Sequence, residues 1–467
     1  MSDLNDLLLK HFPYSPTLSQ QQALTALSRF ITLKKLQKCF LLKGYAGTGK
    51  TTVIKSLIKT LSAKAYRIVM LAPTGRAAKI IKQYTGEPAS TIHRYLYEIT
   101  STKDGAVKTR LKENKHKKQV FIVDEASMIS NEYDQTLFTG INLLADLVKH
   151  VYSQPDNMMV FIGDTAQLPP VGLTVSPALQ HDYLHNFHHL DVEQYEMKEV
   201  VRQQLQSGIL ANAHCTRLLI ERSEGIPRLK ETGFDDVHKT DPAEVGELLS
   251  NLFPVTDEGK AVVICRSNKQ ANRYNEYIRS SFYGFEDTIE KNERLMVVKN
   301  NYYWHESESD HAFIANGDEI KVIKILKREE CYGLIFAHAL IELSDDQNTR
   351  LTVKLLLDTL RSESPALPSD TYKKLFEAVK ENYRMTNGKI SIRKLREDPY
   401  LNALQVKYAY AITCHKAQGG QWETVCIDPG WMSEAMFNKE YLRWLYTAIT
   451  RARKQVHFIG FPDHCFV

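Results

Sequence analysis

Lys50 stands near the end of the octapeptide GYAGTGKT, formed by Gly44, Tyr45, Ala46, Gly47, Thr48, Gly49, Lys50 and Thr51, which fits the spacing G-x-x-x-x-G-K-[ST]. Glycines so placed let backbone N–H groups wrap phosphate oxygens at the positive end of a helix. Lys50 is then positioned for the β and γ oxygens, Thr51 for Mg2+, and Thr52 for the same nucleotide. Further on, the apolar run QVFIV ends in Asp124-Glu125 of the segment VDEAS. Asp124 suits a magnesium ligand acting through water, and Glu125 suits a general base that polarises the attacking water. Adjacent acids after a strand can also be a solvated turn; the phosphate loop upstream favours the catalytic reading. Together the two motifs describe a Mg2+-dependent nucleoside triphosphatase and nothing narrower.

These residues need strand ends to hold them. From Leu41 to Val171 short apolar runs (CFLLKG, RIVMLAPT, QVFIVDEAS, MMVFIGD) alternate with helical segments such as TTVIKSLIKTL and GRAAKIIKQY. Buried runs separated by crossover helices predict a parallel, doubly wound sheet with functional loops at its carboxyl ends. A second α/β set starts with AVVICRS and the helix NKQANRYNEYIRSSF and resumes with YAYAITCHKAQGGQ, ETVCIDPG and VHFIGF. Between its parts, roughly residues 316–403, an alternating strand (NGDEIKVIKIL) and a polar helix (SDTYKKLFEAVKENYRM) predict an inserted small β domain with a helical appendage. A hairpin is expected at about residues 95–118, turning at Asp104-Gly105, with a second arm rich in lysine. Near the end of the chain, YTAITRAR places Arg451 and Arg453 in what reads as the start of a buried helix.

Lys plus Arg exceed Asp plus Glu by 60 − 55 = +5, a balance that only weakly favours polyanionic partners. No run approaches the ~18 apolar residues of a membrane span. The seven cysteines form no C-x-x-C pair, and the amino end carries Asp3 and Asp6 where a secretory signal would be basic. An intracellular, cytoplasmic protein with reduced thiols is expected.

The ordered segments LSQQQ, GYAGTGKT, APTGRAA, STIHR, VDEAS, IGDTAQLPPV, EVVRQ, AITCHKAQGGQ and YTAITRAR resemble those of superfamily-one helicases in the group that contains RecD, Dda and the Pif-type enzymes. The resemblance spans nearly the whole chain. It implies two RecA-like parallel-sheet cores: residues 1–200, and residues 201–315 continued by 404–467. The hairpin would be a strand-separating pin inserted in the first core, and residues 316–403 an SH3-like β domain. It further implies ATP-driven 5′-to-3′ translocation on single-stranded DNA by a monomer working at single-strand/duplex junctions, in replication or repair. On the same ground Gln22 reads adenine, although Gln20 and Gln21 stand beside it; Gln167 senses the γ-phosphate; and Arg451 and Arg202 are arginine fingers. Pro73, Thr74, Thr91, His93, His415, Lys416 and Gln418 would line the single-strand track. A RecD-like subunit active within a complex, a translocase that opens no duplex and an RNA-directed helicase remain alternatives. So does the hairpin as a solvated excursion.

Overall fold

Strand β1, Lys38–Gly44, buries Cys39, Phe40, Leu41 and Leu42 on both faces, which only the interior of a parallel sheet covered by helices allows. The computed structural model describes residues 2–101, 107–132, 141–201, 207–223, 225–254, 259–301, 303–304, 314–344, 346–387, 394–395 and 397–467. With β2 (Arg67–Ala72), β3 (Ala89–Thr91), β6 (Gln119–Val123), β7 (Met158–Gly163) and β8 (Asp191–Met197), β1 forms a parallel six-stranded sheet in the order β3-β2-β6-β7-β1-β8. Registers pair Lys43 with Gly163 and Val123 with Phe161, so the loops after β1, β6 and β7 open side by side. Strand β8 escaped the sequence reading because DVEQYEM is a half-exposed edge with no apolar run.

Between β3 and β6, strands β4 (Tyr97–Ser101) and β5 (Val107–Leu111) pair antiparallel as the expected hairpin. Its Asp104-Gly105 tip lies outside the described residues.

A second parallel sheet has the order β16-β10-β17-β18-β9, from β9 (Val237–Thr240), β10 (Ala261–Cys265), β16 (Ala411–Thr413), β17 (Trp422–Asp428) and β18 (Ala452–Ile459). Helix Lys439–Ile449, capped by Asn438, crosses from β17 to β18. YTAITRAR therefore spans the end of that helix, not the start of one. Its capping residue and the amphipathic KEYLRWL lie upstream, and Arg451 follows in the turn before β18.

Strands β11 (Arg294–Val297), β12 (Glu319–Cys331), β13 (Leu334–Leu343), β14 (Asp346–Leu356) and β15 (Leu404–Tyr408) close into a barrel. This corrects the boundaries 316–403, since the barrel recruits a strand on either side. Leu295, Val297, Leu404 and Val406 are fully buried in one cluster with Val322, Ala339 and Val353, and closure removes the open edges that β12 and β14 would otherwise expose. The same cluster takes in Ala261, Val263 and Cys265, so barrel and second sheet share a continuous core. Helix Ser369–Asn387 packs Leu375 and Val379 on Phe336 and Leu356 at the barrel's far end.

The barrel also grips the first sheet. Helix Gly75–Thr85 begins against the turn Ala315–Asp318 so closely that a Cβ on Gly75 would stand 2.5 Å from Ala315 Cβ. Arg76 pairs with Glu319 at 2.9 Å and lies 4.0 Å over the Trp422 ring, while Lys79 reaches Asp318 at 3.2 Å. Burial pushes the Glu319 carboxyl up, but Arg76 and Arg294 more than offset it and hold it below its ordinary value. Among the described residues, no helix is long and apolar enough to cross a membrane.

Candidate active site

The turn from β1 into helix Lys50–Ala63 uses Gly47 at φ +76° and Gly49 at φ +84°, left-handed conformations in which a side chain would be strained. A Cβ on Gly49 would also strike the Gln20 amide, which donates to the Thr48 carbonyl at 3.1 Å. Gln20, in a capping box with Thr17, is thus the glutamine that braces the phosphate loop. Gln22 stands exposed on the same first turn, accepting from the Tyr195 hydroxyl at 2.7 Å. Lys50 Nζ donates within the loop to the Gly44 and Tyr45 carbonyls at 2.6 and 3.0 Å, and Thr48 Oγ1 donates to Tyr45 at 2.8 Å. Thr51 is exposed and Thr52 half-buried on the first turn of the helix.

Asp124 and Glu125 follow β6 as expected. Asp124 Oδ2 accepts from the Tyr84 hydroxyl at 2.7 Å and Oδ1 from the Glu125 N–H at 2.8 Å. Glu125 takes φ +51°, a conformation costly for a side-chain-bearing residue and concentrated at functional sites. After β7, Asp164 is buried, receiving the Tyr446 hydroxyl at 2.7 Å and the Ala166 N–H at 2.9 Å. Burial raises the pKa of all three carboxyls, and Lys50 lowers each. For Glu125 the largest opposing influence is Arg451.

Arg451 comes from the second sheet, 4% exposed, its guanidinium donating to the Thr447 and Gly420 carbonyls at 3.1 and 3.3 Å and to Thr450 Oγ1 at 3.1 Å. Arg202 lies outside the described residues. Gln167 is 6% exposed, and its Oε1 has no hydrogen-bond partner among the described residues, the kind of buried acceptor that a ligand completes. The donor set fits a magnesium nucleotide: a loop of N–H groups at a helix start, a threonine hydroxyl, and three carboxyls acted on by two cations, so that one more cation would relieve them.

Four residues in this centre had no role in the sequence reading. Tyr446 donates to Asp164 and accepts the Ala46 N–H at 2.8 Å, joining the two sheets at the phosphate loop. Thr447 Oγ1 accepts the Leu168 N–H at 2.9 Å. Asp164 and Tyr84 complete the carboxylate group. Asp164, Tyr446 and Thr447 lie inside the quoted segments IGDTAQLPPV and YTAITRAR, whereas no signal in GRAAKIIKQY marks Tyr84.

On the adjoining side, pairing of Ala72 with Thr91 sets the loops after β2 and β3 abreast. Thr74 caps helix Gly75–Thr85, and a Cβ on Gly419 would stand 3.1 Å from Thr74 Oγ1, so the loops of the two sheets meet here. Pro73 is half-buried, His93 sits on the short helix Ile92–Leu96 with its ring 6.1 Å from that of Tyr97, and His415 is exposed. Lys416 reaches the Asn316 side chain at 3.1 Å. Two expected track residues face inward instead. Thr91 is 4% exposed and its hydroxyl caps the Arg94 N–H; Gln418 is 5% exposed and donates to the Leu168 carbonyl at 2.7 Å. Each hydroxyl or amide satisfies a backbone group that would otherwise be buried unpaired.

Residues 17–234 match the AAA domain family and residues 408–459 the UvrD-like helicase C-terminal domain. An uncharacterized protein of Methanocaldococcus jannaschii is 25% identical over 90% of this chain, and an uncharacterized protein of Acanthamoeba polyphaga mimivirus 24% identical over 94%. The ATP-dependent DNA helicase dda of Enterobacteria phage T4 is 36% identical over 34% of the chain. The matched stretches cover 36%, 99% and 34% of those three relatives, so the chain spans about a third of the archaeal and phage proteins.

Proposed function

We propose that the chain is a superfamily-one helicase of the 5′-to-3′ RecD, Dda and Pif group, and that it spends ATP to step 5′ to 3′ along single-stranded DNA and part the duplex ahead. The observation that carries this reading is the Leu168 peptide, held from both ends by the second sheet: its N–H by Thr447, one helical turn before Arg451, and its carbonyl by Gln418 of the CHKAQGG loop. The turn that carries Gln167 is thereby bonded both to Thr447, whose carbonyl accepts from Arg451, and to the loop that meets Thr74. A change at the phosphates has a direct mechanical route to the strand.

In this mechanism the phosphate loop and Lys50 bind and orient the triphosphate, while Thr51 and Asp124 would hold Mg2+, which would supply charge neutralisation at the phosphates. Glu125 takes the proton of the attacking water at its carboxylate, and Arg451 meets the charge that spreads on the transferring phosphoryl group. Arg202 would act as a second finger. Thr74, His93, His415 and Lys416 contact phosphates and sugars, which positions a strand without reading its sequence. Gln22 remains the proposed adenine contact.

The two sheets are RecA-like cores, the barrel is SH3-like, and the protein works as a monomer at single-strand/duplex junctions. The β4–β5 hairpin is the pin that splits the fork, where each base-pair step opposes it by about 1.4 kcal/mol of stacking. Unwinding of 5′-tailed and 3′-tailed duplexes, in DNA and in RNA, tests the whole reading: DNA carrying a 5′ tail should be opened. Preference for a 3′ tail, or for RNA, overturns it.

A further inference from the structure

The carboxyl edge of the second sheet releases three loops together. Cys265 pairs in register with both Thr413 and Asp428, so Arg266-Ser267, His415-Lys416 and Pro429-Gly430-Trp431 emerge abreast. Arg266 is exposed in the first, and Lys269 is exposed on the helix turn that follows it. The third carries Trp431, 81% exposed, the most exposed large apolar side chain among the described residues. The other tryptophans behave differently: Trp422 and Trp444 are buried, and Trp304 is half-buried with its indole N–H bonded to the Asn402 carbonyl at 2.8 Å.

An indole left in water forgoes the largest apolar burial available to any side chain. The loop that holds it out is braced. Asp428 accepts the Gly430 N–H at 2.7 Å and the Tyr274 hydroxyl at 2.5 Å, and Gly430, at φ +70°, lies against Gln270. Arg266 donates to Met432 Sδ at 3.0 Å, and its guanidinium lies 5.6 Å over the Tyr441 ring. The indole therefore stands on a fixed pedestal beside the first turn of helix Asn268–Phe282, where Ser267 caps a positive helix end.

We propose that Trp431 is a base-stacking platform for the single strand as it crosses the second sheet, with Arg266 and Lys269 on the neighbouring phosphates. This rests on the single-strand reading above. Every base offers a π face, so such a platform grips without selecting sequence, and the adjacent cations supply the salt-dependent part of the grip. The lone exposed indole belongs to no motif, and its role follows only once β10, β16 and β17 are known to be neighbours.

Binding of fluorescein-labelled oligo-dT by anisotropy at fixed salt, together with quenching of tryptophan emission by unlabelled oligo-dT, tests it. Stacking is worth about 1–3 kcal/mol per base, so Trp431→Ala should weaken binding about 5- to 150-fold. Trp431→Phe should stay near wild type. Trp431→Leu should fall with alanine, because apolar area without a ring does not stack. Wild type should lose accessible tryptophan emission on adding oligo-dT, and Trp431→Phe should not. Full affinity in Trp431→Ala, or unquenched wild-type emission despite binding, overturns the platform and leaves the helicase reading standing; the indole is then free for a protein partner. Failure of wild type to bind oligo-dT overturns both. Unchanged circular dichroism in each variant separates lost binding from lost fold.

Discussion

Tyr446→Phe removes one oxygen atom and two hydrogen bonds that cross between the sheets. The hydroxyl is buried, donating to Asp164 at 2.7 Å and accepting from the Ala46 N–H at 2.8 Å. A hydrogen bond to a charged group contributes about 1.5–3 kcal/mol net, and an orphaned buried donor costs about 1–3 kcal/mol. Allowing for a water entering the space, the joint should lose about 2–4 kcal/mol. The ring stays, so packing of helix Lys439–Ile449 is unchanged. The same hydroxyl lowers the Asp164 pKa against burial, so its removal moves that carboxyl further toward the neutral form near the phosphates. If about half of the lost energy is expressed when the sheets close on ATP, DNA-stimulated turnover falls about 5- to 30-fold. Steady-state ATPase with saturating oligo-dT, paired with nucleotide affinity measured without DNA, reads it. A kcat within twofold of wild type would refute the view that this hydroxyl couples the sheets.

Outcomes are expected at four other sites. Arg451→Ala should lower DNA-stimulated hydrolysis by about 10³-fold. Glu125 must be ionised to act and Arg451 opposes the upward push of burial on it, so the acid limb of the rate–pH profile should move to higher pH in Arg451→Ala and much less in Arg451→Lys. Burial first, and Lys407 second, bring Lys416 down to about 8; phosphate contact favours its charged form, so affinity for oligo-dT should be full below that pH and fall as pH rises through it. Lys416→Arg, permanently charged, should flatten that fall in an anisotropy titration. Cutting residues 101–108 of the hairpin to an Asn-Gly turn should abolish unwinding of 5′-tailed duplex while leaving DNA-stimulated ATPase near wild type; retained unwinding would dismiss the pin. Glu293→Ala strands Arg279, 1% exposed and bound to Glu293 at 2.9 Å, and should cost about 3–5 kcal/mol in denaturant unfolding.

The parts legible in the sequence were those whose chemistry is local. A glycine-rich turn after an apolar run and an acidic pair after another can be read in a window of eight residues, and the structure places Lys50, Asp124 and Glu125 around one point. The helices Asn268–Phe282 and Ser369–Asn387 followed from periodicity. What failed depended on partners far along the chain. Barrel strands β11 and β15 are short runs beside other apolar runs, and only closure with β12 and β14 assigns them. Gln418 has the amide of a strand contact, yet Leu168, 250 positions away, claims it. Asp164 and Tyr446 are 282 positions apart, and neither has a visible role without the other.

The grip of Arg76 on Glu319 and Trp422 bears on how the two sheets can move against each other. Helix Gly75–Thr85 starts at the capping Thr74 of the proposed strand contacts and is fastened to the barrel, while the barrel shares its core with the second sheet. The two halves are consequently not a clam on a single hinge but a closed kinematic loop, bolted at the phosphate end by Tyr446 and at the far end by Arg76. In such a loop one bolt must slip for the other to rotate. The ion pairs of Glu319 with Arg76 and Arg294 are largely sheltered from solvent and so weakly screened by salt, whereas the Tyr446 hydroxyl is bonded to a backbone N–H of the phosphate loop itself. In the proposed mechanism the far bolt would then be the fulcrum and the nucleotide end the free arm, with any stroke on the strand scaled by the distance between them.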